Sequence, residues 1–238
     1  MATRRGPLRW ALSALVWTAA AAVAAVLLLQ LWFLAHILWW RFEPPASTAF
    51  MRAQLATLRQ ADPRAELQHR WVPYERISPH LKRAVIAAED ARFADHDGVD
   101  WRAIEEAHAR NQRRGRITHG GSTITMQLAK NLFLSGERSY LRKAQELVIA
   151  LMLEAVLDKR RILELYLNVA EWGVGVFGAE AAARRLHGVA SAQLTPAQAA
   201  RMAAMLPRPR FYERNPGSAL LAQRAATIQR WMTAVTPP

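Results

Sequence analysis

The chain has 238 residues, of which 52% are hydrophobic, and its formal net charge is +13 at pH 7. This length suits one domain with appendages, and the apolar content excludes a wholly disordered chain. Because there is no cysteine, disulfide frameworks and thiolate metal sites are excluded as well.

The first predicted element is a membrane anchor. Ala11–Trp40 contains no Asp, Glu, Lys or Arg, whereas a bilayer core needs about 20 apolar residues of helix. A cleaved signal peptide is the alternative, since Ala19–Ala25 offers small residues. The apolar run is longer than an h-region of about 7–15 residues, which favours an uncleaved anchor. Arg4, Arg5 and Arg9 precede the helix and predict a cytoplasmic N-terminus, with the rest of the chain outside.

The end of the anchor and the chain beyond it carry two further signals. Trp32, Phe33, Trp39 and Trp40 suit an aromatic belt at the membrane interface. Beyond residue 40 there are 29 basic and 19 acidic side chains, a net charge of +10, because three of the 32 basic residues lie earlier. Such a domain attracts anions. Anionic lipid heads and a phosphate-bearing substrate are both candidates, whereas an extracytoplasmic location argues against nucleic acid.

The elements that follow are predicted to be mostly helical. Residues 41–70 form a linker and membrane-proximal segment, with a mixed helix over about Thr48–Arg59. From Ser78 onward apolar residues recur at helical spacing, and no sustained alternating run predicts a sheet, apart from a small extended piece near Trp71–Tyr74. Arg138–Asp158 is apolar almost all round, which predicts a helix buried within the domain. The predicted class is all-α.

Carboxylates follow an apolar helix in AVIAAEDARFADHDGVD, which contains Glu89, Asp90, Phe93 and His96. A carboxylate that emerges from an apolar face is partly desolvated, which raises its pKa and makes it a better proton acceptor near neutrality. Ordinary surface charge is the alternative. A calcium loop does not fit because Asp100 stands where the turn glycine belongs. His96 lacks a second histidine at metal-ligand spacing, so no metal site is predicted.

The stretch GGSTITMQLAKN predicts a helix that begins with a cap at Ser122 and ends near Leu134. Its wheel has an apolar stripe of Ile124, Leu128 and Leu132 and a separate polar stripe of Thr123, Gln127 and Lys130. Free N–H groups at the helix start and the two glycines before it favour an anion. The Walker pattern is absent. The residues therefore indicate a phosphate or sugar site, with a plain helix cap as the alternative.

Two basic segments flank this stretch. Arg142 and Glu146 are four residues apart with Lys143 beside them. An exposed intrahelical pair contributes only about 0.2–0.5 kcal/mol, but in an otherwise apolar helix we expect the pair to face a polar cleft. Residues 110–119, RNQRRGRITH, form either a mobile basic flap or a solvated charge run.

Four segments in this order, EDARFADHDG, GGSTITMQLAKNLFL, RKAQE and KRRILELYLN, make the chain resemble the glycosyltransferase domain of peptidoglycan-polymerising enzymes. Bifunctional penicillin-binding proteins and monofunctional biosynthetic peptidoglycan transglycosylases share that domain. VAEWGVGVFGAEAAARRLHG and LPRPRFY are similar to the monofunctional members and extend the resemblance over residues 71–238. SxxK, SxN and KTG motifs are absent, so no transpeptidase activity is expected. Met126 stands where the family usually has glutamine, but it lies off the polar stripe and should matter little.

The resemblance implies a lysozyme-like, two-lobed helical domain preceded by one transmembrane helix. Its substrate would be lipid II, a disaccharide-pentapeptide on undecaprenyl pyrophosphate, which the enzyme polymerises into β-1,4 glycan strands. The implied location is the bacterial inner membrane with a periplasmic domain. Implied partners are the growing glycan strand, anionic membrane lipids and other cell-wall synthesis proteins, and not nucleic acid.

The resemblance also assigns roles. Glu89 would be the general base and Glu146 the second essential carboxylate, which either orients cations or binds a divalent ion. No cofactor is expected to be required, although Mg²⁺ or Mn²⁺ on the substrate pyrophosphate remains an open alternative. The expected substrate-binding residues are Asp90, Phe93, His96, Ser122, Thr123, Gln127, Lys130, Asn131, Arg142 and Lys143. Residues of the last motif expected to be structural are Lys159, Arg160, Glu164, Tyr166 and Asn168.

Two other functions compete with polymerisation. A lytic, lysozyme-type hydrolase would use the same fold class and a cleft glutamate, but it has no use for a phosphate-binding row. A membrane-bound scaffold without enzymatic activity would not depend on Glu89.

Overall fold

The structure, a computed structural model, describes residues 7–114, 121–134 and 139–238. Within the basic segment at residues 110–119, residues 115–119 therefore lie outside the described residues, and so does Gly120. Helices dominate the described part of the chain, which confirms the all-α class. They are α1 Pro7–Trp40, α2 Ala49–Ala61, α3 Pro79–Glu89, α4 Trp101–Arg114, α5 Ile124–Phe133, α6 Tyr140–Val156, α7 Lys159–Val169, α8 Ala179–His187, α9 Pro196–Met205, α10 Pro209–Arg214 and α11 Ala219–Trp231.

One small sheet accompanies the helices in the described residues. Its strands are β1 Gln68–His69, β2 Glu171–Gly173 and β3 Val176–Phe177, in the order β1-β3-β2. β1 runs parallel to β3, and β2 pairs with β3 antiparallel. The extended piece predicted near Trp71–Tyr74 thus begins earlier, and the pair β2–β3 was not predicted. Strands of two or three residues are too short to show an alternating pattern.

Helix α1 is longer than a bilayer is thick. Its 34 residues extend about 51 Å, against a hydrocarbon core of about 30 Å. Every residue from Trp10 to Leu29 is exposed, whereas Phe33, Ile37 and Trp40 are buried. The exposed part alone is about 30 Å long and suits a membrane span. The last third of α1 instead belongs to the core of the domain.

Two of the four residues predicted to form an aromatic belt at this end of α1 are instead buried in the domain. Trp32 and Trp39 are exposed. Phe33 and Trp40 pack on Phe133 at the end of α5, with ring centroids 4.9 Å and 5.0 Å away. An apolar sequence pattern does not distinguish a lipid environment from a protein core.

Helix α5 occupies the centre of the domain and contacts α2, α6 and α7. Ile124, Leu128 and Leu132 are buried as the wheel predicts. The predicted cap at Ser122 is wrong by one residue, because Thr123 accepts the hydrogen bond from the Met126 backbone N–H at 3.1 Å.

Helix α6 is buried on one face only, so the prediction of a fully buried helix is wrong. Ile149 and Leu153 are buried, but Leu141 and Leu151 are 84% and 50% exposed. Leu141 shares a helix face with Gln145, which contacts α1. The exposed apolar surface at Leu141 therefore lies on the side of the domain from which α1 leaves.

The remaining contacts place two groups of helices side by side. Helices α3, α9 and α11 pack on one another, and α5 packs between α6 and α7. Helix α3 ends at Glu89, which contacts Gln127 of α5. The candidate site lies at this junction.

Candidate active site

Glu89 is held at the end of a well-defined helix. Ser78 caps the N-terminus of α3, Pro79 follows it, and Ala84 and Val85 are fully buried. This buried stripe fixes the helix against the core, so its last residue emerges at the junction with α5 in a defined position.

A chain of two hydrogen bonds orients the Glu89 carboxylate. Gln127 Nε2 donates to Glu89 Oε2 at 2.8 Å, and the Tyr166 hydroxyl donates to Gln127 Oε1 at 2.8 Å. Tyr166 is only 1% exposed, and burial raises its pKa well above the usual value. The phenol thus stays protonated and keeps the NH₂ end of the Gln127 amide directed at Glu89.

Burial raises the pKa of Glu89, while the Gln127 hydrogen bond and the positive charges of Arg224 and Lys130 oppose that rise. A carboxylate with a raised pKa is a stronger proton acceptor near neutral pH. Arg224 comes from α11, 135 positions further along the chain, and no local pattern in the sequence singled it out.

The second glutamate lies in a cationic environment. Glu146 is 3% exposed; its two carboxylate oxygens pair with Arg142 and with Lys143 Nζ, the latter at 2.8 Å. Lys143 Nζ also donates to Ser122 Oγ at 2.9 Å, which ties α6 to the start of α5. The predicted pair of Arg142 and Glu146 therefore faces the protein interior.

The charge of Lys130 interacts with those of both glutamates. Burial lowers the pKa of Lys130; Glu146 and Glu89 oppose this, and Arg142 and Lys143 reinforce it. Since Coulombic effects of this kind act over short distances, Lys130 is close to both carboxylates. The structure thus gathers the predicted base, the polar stripe of α5 and the charged turn of α6 into one cluster.

A cavity of about 370 Å³ opens beside this cluster, within the size range of ligand sites. Its walls include Glu89, Asp90, Arg92, Ser122 and Thr123. Lys130 and Arg142 are not among its lining residues. The charge of Lys130 nevertheless acts on Glu89, and Arg142 pairs with Glu146.

Several residues expected to bind substrate are buried, and they hold the loops of the site. Asp90 accepts hydrogen bonds from His96 Nε2 and from the Ile124 backbone N–H, both at 3.0 Å. Thr123 donates to the Gly98 carbonyl at 2.6 Å. Phe93 is fully buried and Asn131 is 6% exposed. Phe93 and Asn131 are thus shielded from a ligand, whereas Asp90 and Thr123 line the cavity with little exposed surface.

The described residues contain one group of close potential metal ligands, Asp90, His96 and Asp100. Asp100 already accepts two hydrogen bonds from Arg92, at 2.8 Å and 2.9 Å. Asp90 is engaged by His96 and Ile124. Protein donors therefore already occupy both carboxylates, whereas His96 Nδ1 is buried without a hydrogen-bond partner among the described residues.

Most of the last motif is structural, as predicted. The Asn168 side chain donates to the Val72 carbonyl and accepts from its N–H, both at 2.9 Å. Glu164 accepts from the Tyr74 N–H at 3.2 Å. Tyr166 differs from that prediction, because its hydroxyl reaches the site through Gln127.

Comparison with known proteins agrees with this geometry. A family model described as Transglycosylase matches residues 54–233. A biosynthetic peptidoglycan transglycosylase of Janthinobacterium sp. (strain Marseille) is 56% identical over 224 residues, which cover 94% of this chain and 97% of the relative. Proteins of the same name from Thiobacillus denitrificans and Bordetella pertussis are each 58% identical, over 92% of this chain and 94% and 92% of their own lengths.

Proposed function

The chain belongs to the transglycosylase family and is a peptidoglycan glycosyltransferase that polymerises glycan strands, and we propose that its substrate is lipid II. Polymerisation would proceed by inverting transfer, with release of undecaprenyl pyrophosphate. The observation that carries this proposal is that the segment of α5 contacts both glutamate sites, through Gln127 at Glu89 and through Ser122 at Lys143, the partner of Glu146.

Glu89 acts as the general base. Its carboxylate takes the proton of the acceptor 4-hydroxyl while that oxygen attacks C1 of the sugar at the reducing end of the donor strand. The bond from C1 to the pyrophosphate oxygen breaks with its electron pair, and the α-linked donor gives a β-1,4 product. The raised pKa of Glu89 and its neutral hydrogen-bond donor, Gln127, suit a base that must accept a proton in each cycle.

The cationic cluster stabilises the departing pyrophosphate. Negative charge grows on the leaving group, and cations fixed in advance stabilise it without reorganising. Lys130, Arg142 and Lys143 supply that charge, and Ser122 holds Lys143 in place.

Glu146 keeps these cations in position. Both of its oxygens are occupied by Arg142 and Lys143, which favours the orienting role over the metal-binding role. A divalent ion on the substrate pyrophosphate would come with the substrate, and no step above depends on it.

The membrane arrangement supports the same substrate. Residues Trp10–Leu29 supply the membrane span, and the arginines before it favour a cytoplasmic N-terminus with a periplasmic domain in the inner membrane. A lipid-linked donor would then meet the site at the membrane surface. The net charge of +13 favours contact with anionic lipids, and other cell-wall synthesis proteins are proposed partners.

The test is incubation of the full-length protein with lipid II in lipid vesicles, with and without a chelator. We expect lipid II to be consumed and long glycan to appear in both conditions. Turnover of finished glycan without consumption of lipid II would instead identify a hydrolase. If the Glu89→Gln variant retained the cellular role of the wild-type protein, the protein would be a scaffold.

A further inference from the structure

The membrane-spanning helix is joined to the domain by a pair of amides. Gln30 Nε2 donates to Gln145 Oε1 at 3.1 Å, and Gln145 Nε2 donates to Gln30 Oε1 at 3.0 Å. Ser13 and Thr18, by contrast, donate only to backbone carbonyls of α1 itself. The side-chain amide of Gln30 is thus hydrogen-bonded to another helix rather than to its own.

Gln30 lies where α1 passes from an exposed helix into the domain. The residues before it, from Trp10 to Leu29, are all exposed. Phe33, Ile37 and Trp40 follow on the same face and are buried. The amide pair therefore marks the point at which the continuously exposed part of α1 ends.

A second contact holds the far end of the same helix. Arg161 of α7 donates to the Trp40 carbonyl at 2.9 Å and to the Glu43 carbonyl at 3.1 Å. Gln30 and Trp40 are about 15 Å apart along the helix. A rod fixed at two points this far apart has a defined direction relative to the domain.

The partner of Gln30 is next to a site residue. Gln145 directly precedes Glu146 on α6, and neighbouring residues of a helix point about 100° apart. Gln145 is directed at α1, while Glu146 is directed inward and pairs with Arg142 and Lys143. Any rotation or sliding of α6 against α1 would therefore move the cationic cluster too.

Apolar contacts alone would not prevent such movement. The aromatic rings of α1 surround Phe133 of α5, so they orient α1 against α5 rather than against α6. Two complementary amides bond in only one register, as single polar pairs do in helical bundles.

We propose that Gln30 and Gln145 form a positioning contact that sets the rotation and depth of α6, and hence of its Arg142–Glu146 pair, relative to the membrane-spanning helix. The inference rests on the proposed function and assigns a role to the anchor beyond attachment. The two glutamines do not touch substrate; they act through α6.

The first experiment compares full-length Gln30→Leu, Gln145→Leu and the double variant in lipid vesicles. Leucine makes the anchor more apolar, so lost activity cannot come from weaker membrane attachment. Removing both amides leaves no unsatisfied polar group, so the double variant should keep the wild-type Tm. We expect kcat for lipid II to fall about ten-fold in all three variants, with KM within about two-fold. Thr18→Val is the matched control and should behave as wild type.

The outcomes are distinct. A double variant with wild-type kcat would overturn the proposal, because packing alone would then suffice. Effects of the two single changes that multiply in the double variant would also overturn it, because a paired contact is lost only once. A wild-type protein that does not consume lipid II would count against the proposed function instead.

A cross-link tests the same contact without removing packing. The chain has no cysteine, so Gln30→Cys with Gln145→Cys can be joined by a short bifunctional thiol reagent. We expect efficient linkage in vesicles. The unlinked pair, which lacks both amides, should have the lowered kcat of the leucine variants, and linkage should raise kcat toward the wild-type value. Leu15→Cys with Gln145→Cys, displaced by about 22 Å along α1, should not link. Failure of the first pair to link, or a linked enzyme no more active than the unlinked pair, would reject a positioning contact.

Discussion

Glu89 and Glu146 have opposite surroundings, although the charge of Lys130 interacts with both of them. Glu89 accepts its hydrogen bond from a neutral amide, which a buried phenol holds in place. Glu146 is paired with two cations. A neutral donor leaves a desolvated carboxylate basic, whereas the carboxylate of Glu146 holds its two cations in place through ion pairs. The comparison shows how one site can assign a proton acceptor and an electrostatic anchor to the same type of residue.

The largest expected effect is that of Glu89→Gln. Loss of the base should lower kcat about 10³-fold, within the range attributed to general acid–base catalysis, while lipid II binding is largely kept. Glycan synthesis and lipid II binding by the full-length variant give the two measurements. If the variant kept activity within ten-fold of wild type, Glu89 would not be the base, and the proposed difference in role between the two glutamates would be wrong.

The same variant should be more stable than wild type at pH 7. The raised folded-state pKa of Glu89 means that its ionised form costs stability above its unfolded pKa. The Tm difference between Glu89→Gln and wild type should therefore be largest near neutral pH and vanish as the pH falls below about 4. Thermal unfolding across this pH range checks the sign.

Glu146→Gln should have the second largest effect, with the opposite sign for stability. It leaves Arg142 and Lys143 without a counter-charge, so kcat/KM should fall about 10²-fold and the free energy of unfolding by about 2 kcal/mol. Glu75→Gln removes the exposed pair with Arg160 and serves as the control, with a change of under about 1 kcal/mol. Equal stability of the Glu146 and Glu75 variants would contradict the buried anchor.

Gln127→Leu should change the pH dependence of the reaction, which tests the surroundings of Glu89 alone. The Gln127 hydrogen bond lowers the pKa of Glu89 against the effect of burial, so its loss raises that pKa further. The acidic limb of the rate profile should move to higher pH, with activity about ten-fold lower at pH 6 and less affected at pH 8. Gln223→Leu, an exposed change on α11, should leave the profile in place.

Arg224→Gln should have the smallest effect. The charge of Arg224 lowers the pKa of Glu89, but its effect is smaller than those of burial and of the Gln127 hydrogen bond. The acidic limb of the rate profile should therefore move to higher pH by less than in Gln127→Leu. A loss of about two-fold at pH 6 is expected for a half-buried cation. Arg230→Gln on the same helix is exposed and should leave the profile unchanged.

Local patterns predicted the parts of the site that depend on one helix. The periodicity of α5 separated buried Ile124 and Leu128 from Gln127, and the position of Glu89 after an apolar run anticipated its partial burial. The cap was misplaced by one residue because Ser122 and Thr123 are both good capping residues. In the structure Thr123 is the cap and also donates to the Gly98 carbonyl, whereas Ser122 accepts a hydrogen bond from Lys143.

Contacts between distant segments could not be predicted in the same way. Tyr166 reaches Gln127 across 39 positions, and Arg224 comes from the other group of helices. The division of α1 into an exposed span and a buried end also has no signature in hydropathy, because both environments select apolar side chains.

The buried end of α1 has a practical consequence for handling the protein. Phe133 is partly covered by Phe33 and Trp40, so a fragment that begins after residue 40 would open one wall of the domain to water. Such a fragment would be expected to bind detergent or self-associate through the uncovered aromatic surface. Cutting away the hydrophobic tail would therefore not produce a well-behaved soluble enzyme.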